Sequence, residues 1–446
     1  MNILQISTAD RGGGAEGSAW NLHQRYLHLG HQAWLAVGQK FSRDASVVEI
    51  PRGLHGPLAF LAQRLRPSAR RLRGVPAVIR MLERLSSWSR LRQYWAGLDE
   101  SVSPLGCRGL VAGLPSRPEV IHCHNLHGWY FDLDALVPLS RQAPVILNLR
   151  DTWALTGHCA YFLDCDRWRQ GCGDCPRLGA YPRCRQDRTR DNLAHKAAVF
   201  RQSVARLVVP SEWLADCVRQ SVLSELPCTV IPNGIETGVF RVTDGTEAAR
   251  RRLGLPLTVP VVLFAAAPRA SVFKDYETLW TAAARLLAAR PDAQVCCLGI
   301  GRPPRLQLPR DGRLRCLPFV TERETLADYY RAADVFWHAA NAEAFGKTVA
   351  EAMACGTPVI ATPVGGITDQ LREGENGFAA TPHDPDAFVR RTLELLALSP
   401  EMRQRLRWGA AQMGQGFSLE RQADRFLKLY GELMKSTKDT STKYTK

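Results

Sequence analysis

The strongest constraint on the fold is a pattern of short apolar runs that alternate with helical stretches, and this pattern occurs twice along the chain. In the first half, residues 3–7 and 120–123 are typical of buried parallel strands. A second alternation starts at 261–265, and helices are predicted at 276–289 and 323–332. Repeated strand–helix units favour doubly wound parallel sheets. With 446 residues, the chain is long enough for two α/β domains.

Segments rich in proline, glycine or charge divide the chain further. A linker at 227–240, PCTVIPNGIETGVF, separates an N-terminal domain at 1–235 from a C-terminal domain at 236–418. We predict a helix at 419–435 that packs back on the first domain, followed by a disordered tail at 436–446. Residues 40–118 interrupt the first alternation and are interpreted as a basic insertion.

The net charge of +15 suggests an anionic partner. Residues 60–95 hold nine arginines and one acid, Glu83, mixed with apolar residues. This composition favours peripheral contact with an anionic membrane face; RNA binding and a solvated helical insertion are the alternatives. The sequence shows no secretory signal and no apolar run long enough to span a bilayer, so we expect a cytoplasmic protein.

Glycines follow the first predicted strand in the pattern Gly12-x-Gly14-x-x-Gly17. Glycines at a helix start let backbone N–H groups approach a phosphate. No acid follows at the end of the second strand to bind a ribose, which disfavours a nicotinamide or flavin site. A phosphate or substrate loop remains, with a tight turn as the alternative.

Two carboxylates, Glu343 and Glu351, lie eight residues apart around a predicted helix start. We expect Glu343 in the loop before the helix and Glu351 within it, because a continuous helix would place them on different faces. The N–H groups of Gly346, Lys347 and Thr348 could then bind a phosphate. The alternative is that both acids form surface ion pairs.

The segment EAFGKTVAEAMACGTPVIATPVGG resembles the family-four retaining glycosyltransferases, and the likeness extends over most of the second half. It implies a GT-B fold, two Rossmann-like domains facing an interdomain cleft. It also implies that Glu351 binds the donor ribose, that Glu343 faces the sugar, and that no metal is required for catalysis. Arg269 and Lys274 are similar to the basic pair that neutralises the leaving diphosphate. The other implied donor contacts are Phe345, Gly346, Lys347, Thr348, Gly365, Gly366, Ile367, Gly13 and Gly14.

Histidines end the strand at 120–123, where open α/β sheets place their ligand sites. The resemblance implies that His124 is a cleft histidine with a catalytic role in contact with sugar or acceptor. His127 and Asp151 are interpreted as acceptor-side residues. A structural histidine is the alternative for His124.

Four cysteines, Cys159, Cys165, Cys172 and Cys175, lie within the predicted cysteine loop at 158–185. Cys172-x2-Cys175 has the spacing of a zinc knuckle, so a structural zinc ion is one interpretation. A redox-sensitive or disulfide loop, an iron–sulfur cluster and a metal-free loop are the alternatives. The segment also resembles a subgroup of family-four enzymes that build exopolysaccharide repeat units.

The family resemblance implies a retaining transferase that moves a hexose from a UDP- or GDP-sugar to a hydroxyl of a glycan or lipid-linked acceptor. Polysaccharide synthesis is the expected context, and no nucleic acid is expected as a partner. One alternative is a nucleotide-sugar epimerase of the same architecture. The other is a zinc-stabilised nucleic-acid-binding protein, suggested by the net charge and the cysteines.

Overall fold

The computed structural model describes residues 1–50, 78, 81, 95–98, 107, 109–266, 272–300 and 311–443. The chain divides into two compact units. The N-terminal unit comprises Met1–Val209, Ala215–Val230 and Phe426–Lys446, and the C-terminal unit comprises Pro210–Leu214 and Ile231–Arg425. Most of the predicted basic insertion, including nearly all of 60–95, lies outside the described residues, and so does Arg269.

A seven-stranded sheet forms the centre of the N-terminal unit, and all of its neighbouring strands are parallel. Its strands are β1 (Asn2–Ala9), β2 (Gln32–Gln39), β3 (Val47–Glu49), β4 (Val120–Cys123), β5 (Val145–Asn148), β6 (Val204–Val209) and β7 (Cys228–Val230). They lie in the order β3-β2-β1-β4-β5-β6-β7, so the winding direction reverses between β1 and β4. The central strands are buried on both faces, as their apolar residues predict.

A six-stranded parallel sheet forms the centre of the C-terminal unit. Its strands are β8 (Val261–Ala265), β9 (Gln294–Gly299), β10 (Leu314–Pro318), β11 (Val335–His338), β12 (Val359–Ala361) and β13 (Gly377–Ala379). The order β10-β9-β8-β11-β12-β13 is that of a doubly wound nucleotide-binding fold, with its switch point between β8 and β11.

Helices connect the strands, as parallel pairing requires. The α-helices are α1 (Gly14–His28), α2 (Leu136–Ser140), α3 (Thr189–Ser203), α4 (Glu212–Arg219), α5 (Thr246–Leu253), α6 (Tyr276–Ala289), α7 (Arg323–Ala332), α8 (Lys347–Ala354), α9 (Pro385–Ala397), α10 (Pro400–Gln415) and α11 (Leu419–Lys443). Short 3-10 helices occur at Val111–Gly113, Leu133–Ala135, Trp153–Leu155, Arg167–Gln170 and Gly365–Ile367. Within the described chain, no helix is long and apolar enough to cross a membrane.

Helix α11 supplies aromatic side chains to the core of the N-terminal unit. The Phe426 ring lies 4.5 Å from the His122 ring, measured between centroids. The Tyr430 hydroxyl lies 2.6 Å from Nδ1 of His122 and 3.0 Å from the hydroxyl of Tyr26. All four side chains are completely or almost completely buried. The helix continues past the predicted limit at 435 to Lys443, into the segment for which the composition predicts disorder.

The predicted fold class is confirmed: each unit is a doubly wound α/β domain with a parallel sheet. The helices at Tyr276–Ala289 and Arg323–Ala332 have the predicted bounds. The sequence analysis did not identify β3, β10 or β13, which occupy edges of the two sheets.

Candidate functional site

Two loops of the C-terminal unit lie side by side at the switch point of its sheet. Lys274 follows β8, and Glu343 follows β11, the strand next to β8. The loops are joined by a backbone bridge between Lys274 and Ala340 and by an N–H of Asn341 that donates to the Phe273 carbonyl at 2.9 Å. Open α/β sheets bind ligands at the carboxyl ends of the two strands that flank a switch point, where the strand order reverses.

A buried ionic cluster forms where these loops meet. The Lys274 ammonium donates to the Glu343 carboxylate, and its Nζ lies 3.3 Å from Nε2 of His338. Burial, followed by the Lys274 charge, lowers the pKa of His338 to about 4. The ring is therefore neutral near pH 7, and its Nε2 lies between the Lys274 ammonium at 3.3 Å and a Glu343 oxygen at 3.7 Å.

Glu343 is ionised in this cluster. Burial alone would raise the pKa of its carboxyl, but the nearby Lys274 ammonium and His338 outweigh burial and hold that pKa well below its usual value. The side chains of Glu343 and Lys274 remain 17% and 26% exposed, so the pair is accessible to a ligand.

The second carboxylate of the motif, Glu351, lies inside α8 and is 7% exposed. Its partners are all distant: Tyr330 donates to it at 3.5 Å, and nitrogens of Arg323 and Lys347 lie 3.9 Å from Oε1. Charge-assisted hydrogen bonds are normally about 2.7–2.9 Å long. Burial raises the pKa of Glu351, and the cations of Lys347 and Arg323 counter this only in part.

A glycine turn supports the loop that carries Glu343. The N–H of Gly366 donates to the Glu343 carbonyl at 2.8 Å. A Cβ on Gly365 would lie 2.0 Å from that same carbonyl oxygen, and one on Gly366 would lie 2.2 Å from the Ala344 oxygen. Only glycine permits this approach of two backbones. The structure therefore brings the two predicted glycine-containing segments together.

The start of α8 has the predicted form. Gly346 precedes the helix with φ of 88° and packs against Ile367. Phe345 is buried, and its ring lies 5.2 Å from that of Phe417. Lys347 and Thr348 are the first two helical residues and are partly exposed. Their position places backbone N–H groups at the positive end of the helix dipole.

The glycine loop of the N-terminal unit lies between β1 and α1. Gly12 has φ of 143°, a conformation that favours glycine, while Gly13 caps α1 and Gly14 is its first residue. No atom would lie within 4 Å of a Cβ on Gly14, so space remains beside this backbone.

His124 follows the last residue of β4 and is buried. Both nitrogens of its ring have a hydrogen-bond partner. Nδ1 lies 3.1 Å from an Arg150 nitrogen and Nε2 lies 3.2 Å from the Gln5 side-chain oxygen. Its ring stacks on His122 with 4.3 Å between centroids. Because Arg150 only donates, Nδ1 accepts and Nε2–H donates to Gln5. This geometry favours the structural alternative for His124.

The structure brings the two predicted acceptor-side residues together. Nε2 of His127 lies 2.8 Å from Oδ2 of Asp151, and Asn125 donates to the same oxygen at 3.1 Å. The N–H of Trp153 donates to Oδ1 at 3.0 Å. The carboxylate therefore fixes the orientation of the imidazole, as in a catalytic dyad.

The four cysteines of the predicted metal loop line one small cavity of the N-terminal unit. Their side chains are not arranged as a formed coordination shell: in the described part of the chain, no three His, Cys, Asp or Glu side chains are grouped to hold a metal ion.

A cavity of about 900 Å³ opens elsewhere in the C-terminal unit. Its lining includes Arg372, Arg405, Trp408 and Arg421, and none of the predicted donor residues.

Three residues of the site were missed by the sequence analysis: His338, Arg323 and Tyr330. His338 is the last residue of β11, a position that the sequence could have indicated, since a polar residue ends an otherwise apolar strand. Arg323 and Tyr330 lie on α7 and meet α8 only through packing of the two helices.

Comparisons with known proteins agree with this geometry. Residues 259–398 match the family model for Glycosyl transferases group 1. A D-inositol 3-phosphate glycosyltransferase of Streptomyces bingchenggensis is 34% identical over 246 residues, which are 52% of this chain and 53% of that protein. A putative colanic acid biosynthesis glycosyl transferase of Escherichia coli, WcaC, is 25% identical over 57% of this chain and 60% of its own length. The chain spans about half the length of the first curated relatives it matches.

Among solved structures, Anabaena HepE in complex with UDP-glucose matches 97% of this chain and 100% of its own, with a TM-score of 0.61 and 17% identity. At that identity the likeness concerns the fold. The chain has the GT-B fold, and its residues 259–398 match the family model for Glycosyl transferases group 1.

Proposed function

We propose that this protein is a retaining glycosyltransferase that moves a hexose from a UDP- or GDP-sugar to a hydroxyl group of a glycan or lipid-linked acceptor. The observation that carries the proposal is the Glu351 carboxylate. It is buried, yet its three polar partners among the described residues lie 3.5 Å or more away. Such a carboxylate has capacity for short hydrogen bonds from the two hydroxyls of a ribose.

The cations around the carboxylates support a diphosphate ligand. Lys274 pairs with Glu343, Lys347 lies 3.9 Å from Glu351, and α8 begins between these two glutamates. Cleavage of the anomeric C–O bond transfers an electron pair to the departing diphosphate, and fixed cations and helix N–H groups stabilise that charge. These groups supply the stabilisation without a catalytic metal, and the departing phosphate takes the acceptor proton.

The family match and the relatives support the reaction class, and their names support the substrate classes. HepE was crystallised with UDP-glucose, the Streptomyces relative is named a D-inositol 3-phosphate glycosyltransferase, and WcaC is named for colanic acid biosynthesis. We place this protein with enzymes of cell-surface polysaccharide synthesis. Residues 60–95, nearly all of which lie outside the described residues, would then contact the anionic membrane that carries a lipid-linked acceptor.

Nucleotide-sugar binding tests the proposal. Calorimetric titration of the full chain with UDP-glucose, GDP-mannose and the free nucleotides should detect at least one donor. Glu351→Gln should weaken its binding by about tenfold or more, since a hydrogen bond to a charged group contributes about 1.5–3 kcal/mol. Glu420→Gln is the matched control, because Glu420 is an exposed glutamate of the same unit. Binding that is equally tight in Glu351→Gln would refute the donor site.

A second measurement separates transfer from epimerisation. The protein is incubated with the donor that it binds, with and without an added glycan acceptor, and the sugar product is analysed. A transferase gives a new glycoside only when acceptor is present. Conversion of the nucleotide sugar to an epimer without any acceptor would favour the epimerase alternative.

A further inference from the structure

The cysteine loop of the N-terminal unit encloses a cavity of about 20 Å³. Its lining includes Cys159, Cys165, Cys172 and Cys175, together with His158. A volume of this size is sufficient for one ion or one water molecule. All four cysteines are free thiols.

His158 is oriented as a metal ligand. It is buried, and its Nδ1 lies 2.6 Å from the Pro182 carbonyl oxygen. A carbonyl only accepts, so Nδ1 carries the proton and Nε2 presents its lone pair. Metal-binding histidines are fixed in this manner by a backbone carbonyl.

The distance from His158 to its nearest thiol matches tetrahedral zinc. Nε2 lies 3.5 Å from the Sγ of Cys175. Nitrogen and sulfur ligands bind zinc at about 2.1 and 2.3 Å, so they lie about 3.6 Å apart in a tetrahedral shell. A hydrogen bond from the Cys175 thiol to Nε2 has a similar length. It occupies the lone pair with which Nε2 would bind zinc.

Backbone N–H groups donate to both knuckle cysteines. The N–H of Gly157 donates to the Sγ of Cys172 at 3.2 Å. The N–H of Arg177 donates to the Sγ of Cys175, two residues before it. Lys196, which is fully buried, brings a positive charge close to Cys159 and Cys172. Three thiolates and one neutral histidine leave a zinc site with one net negative charge, which this ammonium balances.

We propose that the cysteine loop binds one zinc ion through His158, Cys172, Cys175 and a fourth ligand, the thiolate of Cys159 or Cys165. The thiols that line the cavity converge on the ion by rotation about χ1, since the described side chains do not yet form a closed shell. The ion is structural, because four protein ligands leave no open position for a substrate. This site is independent of the proposed transferase activity.

Metal analysis of the full chain, purified under reducing conditions, tests the proposal. Elemental mass spectrometry should find about one zinc per chain. Cys172→Ser and Cys175→Ser should lose it, and Cys184→Ser should keep it, since Cys184 does not line the cavity. His158→Gln should weaken zinc binding by more than the 10–100-fold typical of a lost outer-shell contact.

Cobalt substitution tests the metal site in the wild-type chain, so its result does not depend on whether a variant folds. The zinc of the wild-type chain is removed with a chelator and replaced by Co²⁺, and the visible spectrum should show a tetrahedral site with thiolate charge transfer. Cys159→Ser and Cys165→Ser identify the fourth thiolate, and unchanged zinc affinity in both would overturn a four-ligand site. A reduced wild-type chain that is free of metal and not stabilised by added zinc chloride would overturn the proposal. So would a disulfide between Cys172 and Cys175 in the native protein.

Discussion

The backbone N–H of Gly366 donates to the carbonyl of Glu343 at 2.8 Å, so the glycine turn after β12 determines where the carboxylate loop after β11 lies. The motif assigned to the proposed donor site therefore consists of two segments held together by close backbone contact.

Replacement of Gly366 with alanine should disturb both segments. The new Cβ would lie 2.2 Å from the Ala344 oxygen, so the loop must move. We expect a loss of about 1–3 kcal/mol in the free energy of unfolding, measured by urea denaturation, and weaker donor binding. Gly431→Ala is the control, since Gly431 is helical with no atom within 4 Å of an added Cβ. That change should stabilise the protein by about 0.5–1 kcal/mol.

The Lys274–Glu343 pair should show strong energetic coupling. Lys274→Met leaves the Glu343 carboxylate without its cation, and Glu343→Gln leaves the Lys274 ammonium without its anion. Both side chains are largely buried, at 26% exposed for Lys274 and 17% for Glu343, so the remaining charge is poorly compensated. A double-mutant cycle on the free energy of unfolding should give a coupling of about 1–3 kcal/mol. Arg285 and Asp386 form the comparison pair, which is 48% and 56% exposed and should couple by less than about 1 kcal/mol. Equal coupling in the two pairs would contradict the geometry.

His338 should make stability dependent on pH. Its folded pKa is lowered to about 4 from an unfolded value of 6.5. Between these values the unfolded chain binds a proton that the folded chain does not, so stability falls as the pH falls from 6.5 towards 4. The difference in unfolding free energy between wild type and His338→Gln should change across this window by up to about 3 kcal/mol. His28→Gln, at an exposed position of α1, is the control substitution.

Loss of the Tyr430 hydroxyl should destabilise the N-terminal unit. Tyr430→Phe removes contacts to His122 at 2.6 Å and to Tyr26 at 3.0 Å, and it leaves buried polar atoms without a partner. The expected cost is about 1–3 kcal/mol in urea denaturation. Tyr329→Phe should cost almost nothing, because the Tyr329 hydroxyl has no hydrogen-bond partner among the residues that the structure describes.

If His127 and Asp151 act on the acceptor, Asp151→Asn should lower kcat without a change in donor affinity. The substitution alters the group that orients the His127 ring, at 2.8 Å. We expect a decrease of about 100-fold in transfer rate, within the range for general acid–base groups. His195 and Asp134 form an exposed pair of the same length, so Asp134→Asn serves as the control. A normal rate in Asp151→Asn would remove the dyad from the mechanism.

Much of the C-terminal unit could be predicted because its signals are local. The buried strand at Val261–Ala265 is a continuous apolar run, and Glu343 and Glu351 flank a helix start that the glycine marks. Edge strands carry no such signal: β13 has three residues, and β10 contains Arg315 among partly exposed neighbours.

Residues that meet only in three dimensions could not be predicted. The alternation of β4 indicated that His122 and His124 share a face, and the two rings do stack. Nothing local indicated that Arg150 and Gln5 would engage both nitrogens of His124. Arg323 lies on another helix, 3.9 Å from Glu351, and the local sequence of neither residue indicated this contact.

The contribution of α11 to the N-terminal unit has a consequence for biosynthesis. The ribosome makes the chain from its amino end, so the strands of this unit emerge first, whereas Phe426 and Tyr430 emerge only after the whole C-terminal unit has been translated. Until then His122 and Tyr26 lack the buried partners that they have in the finished protein. The unit that is made first is thus the last to complete its core, and a nascent chain that stalls before residue 426 exposes that core to chaperones and proteases.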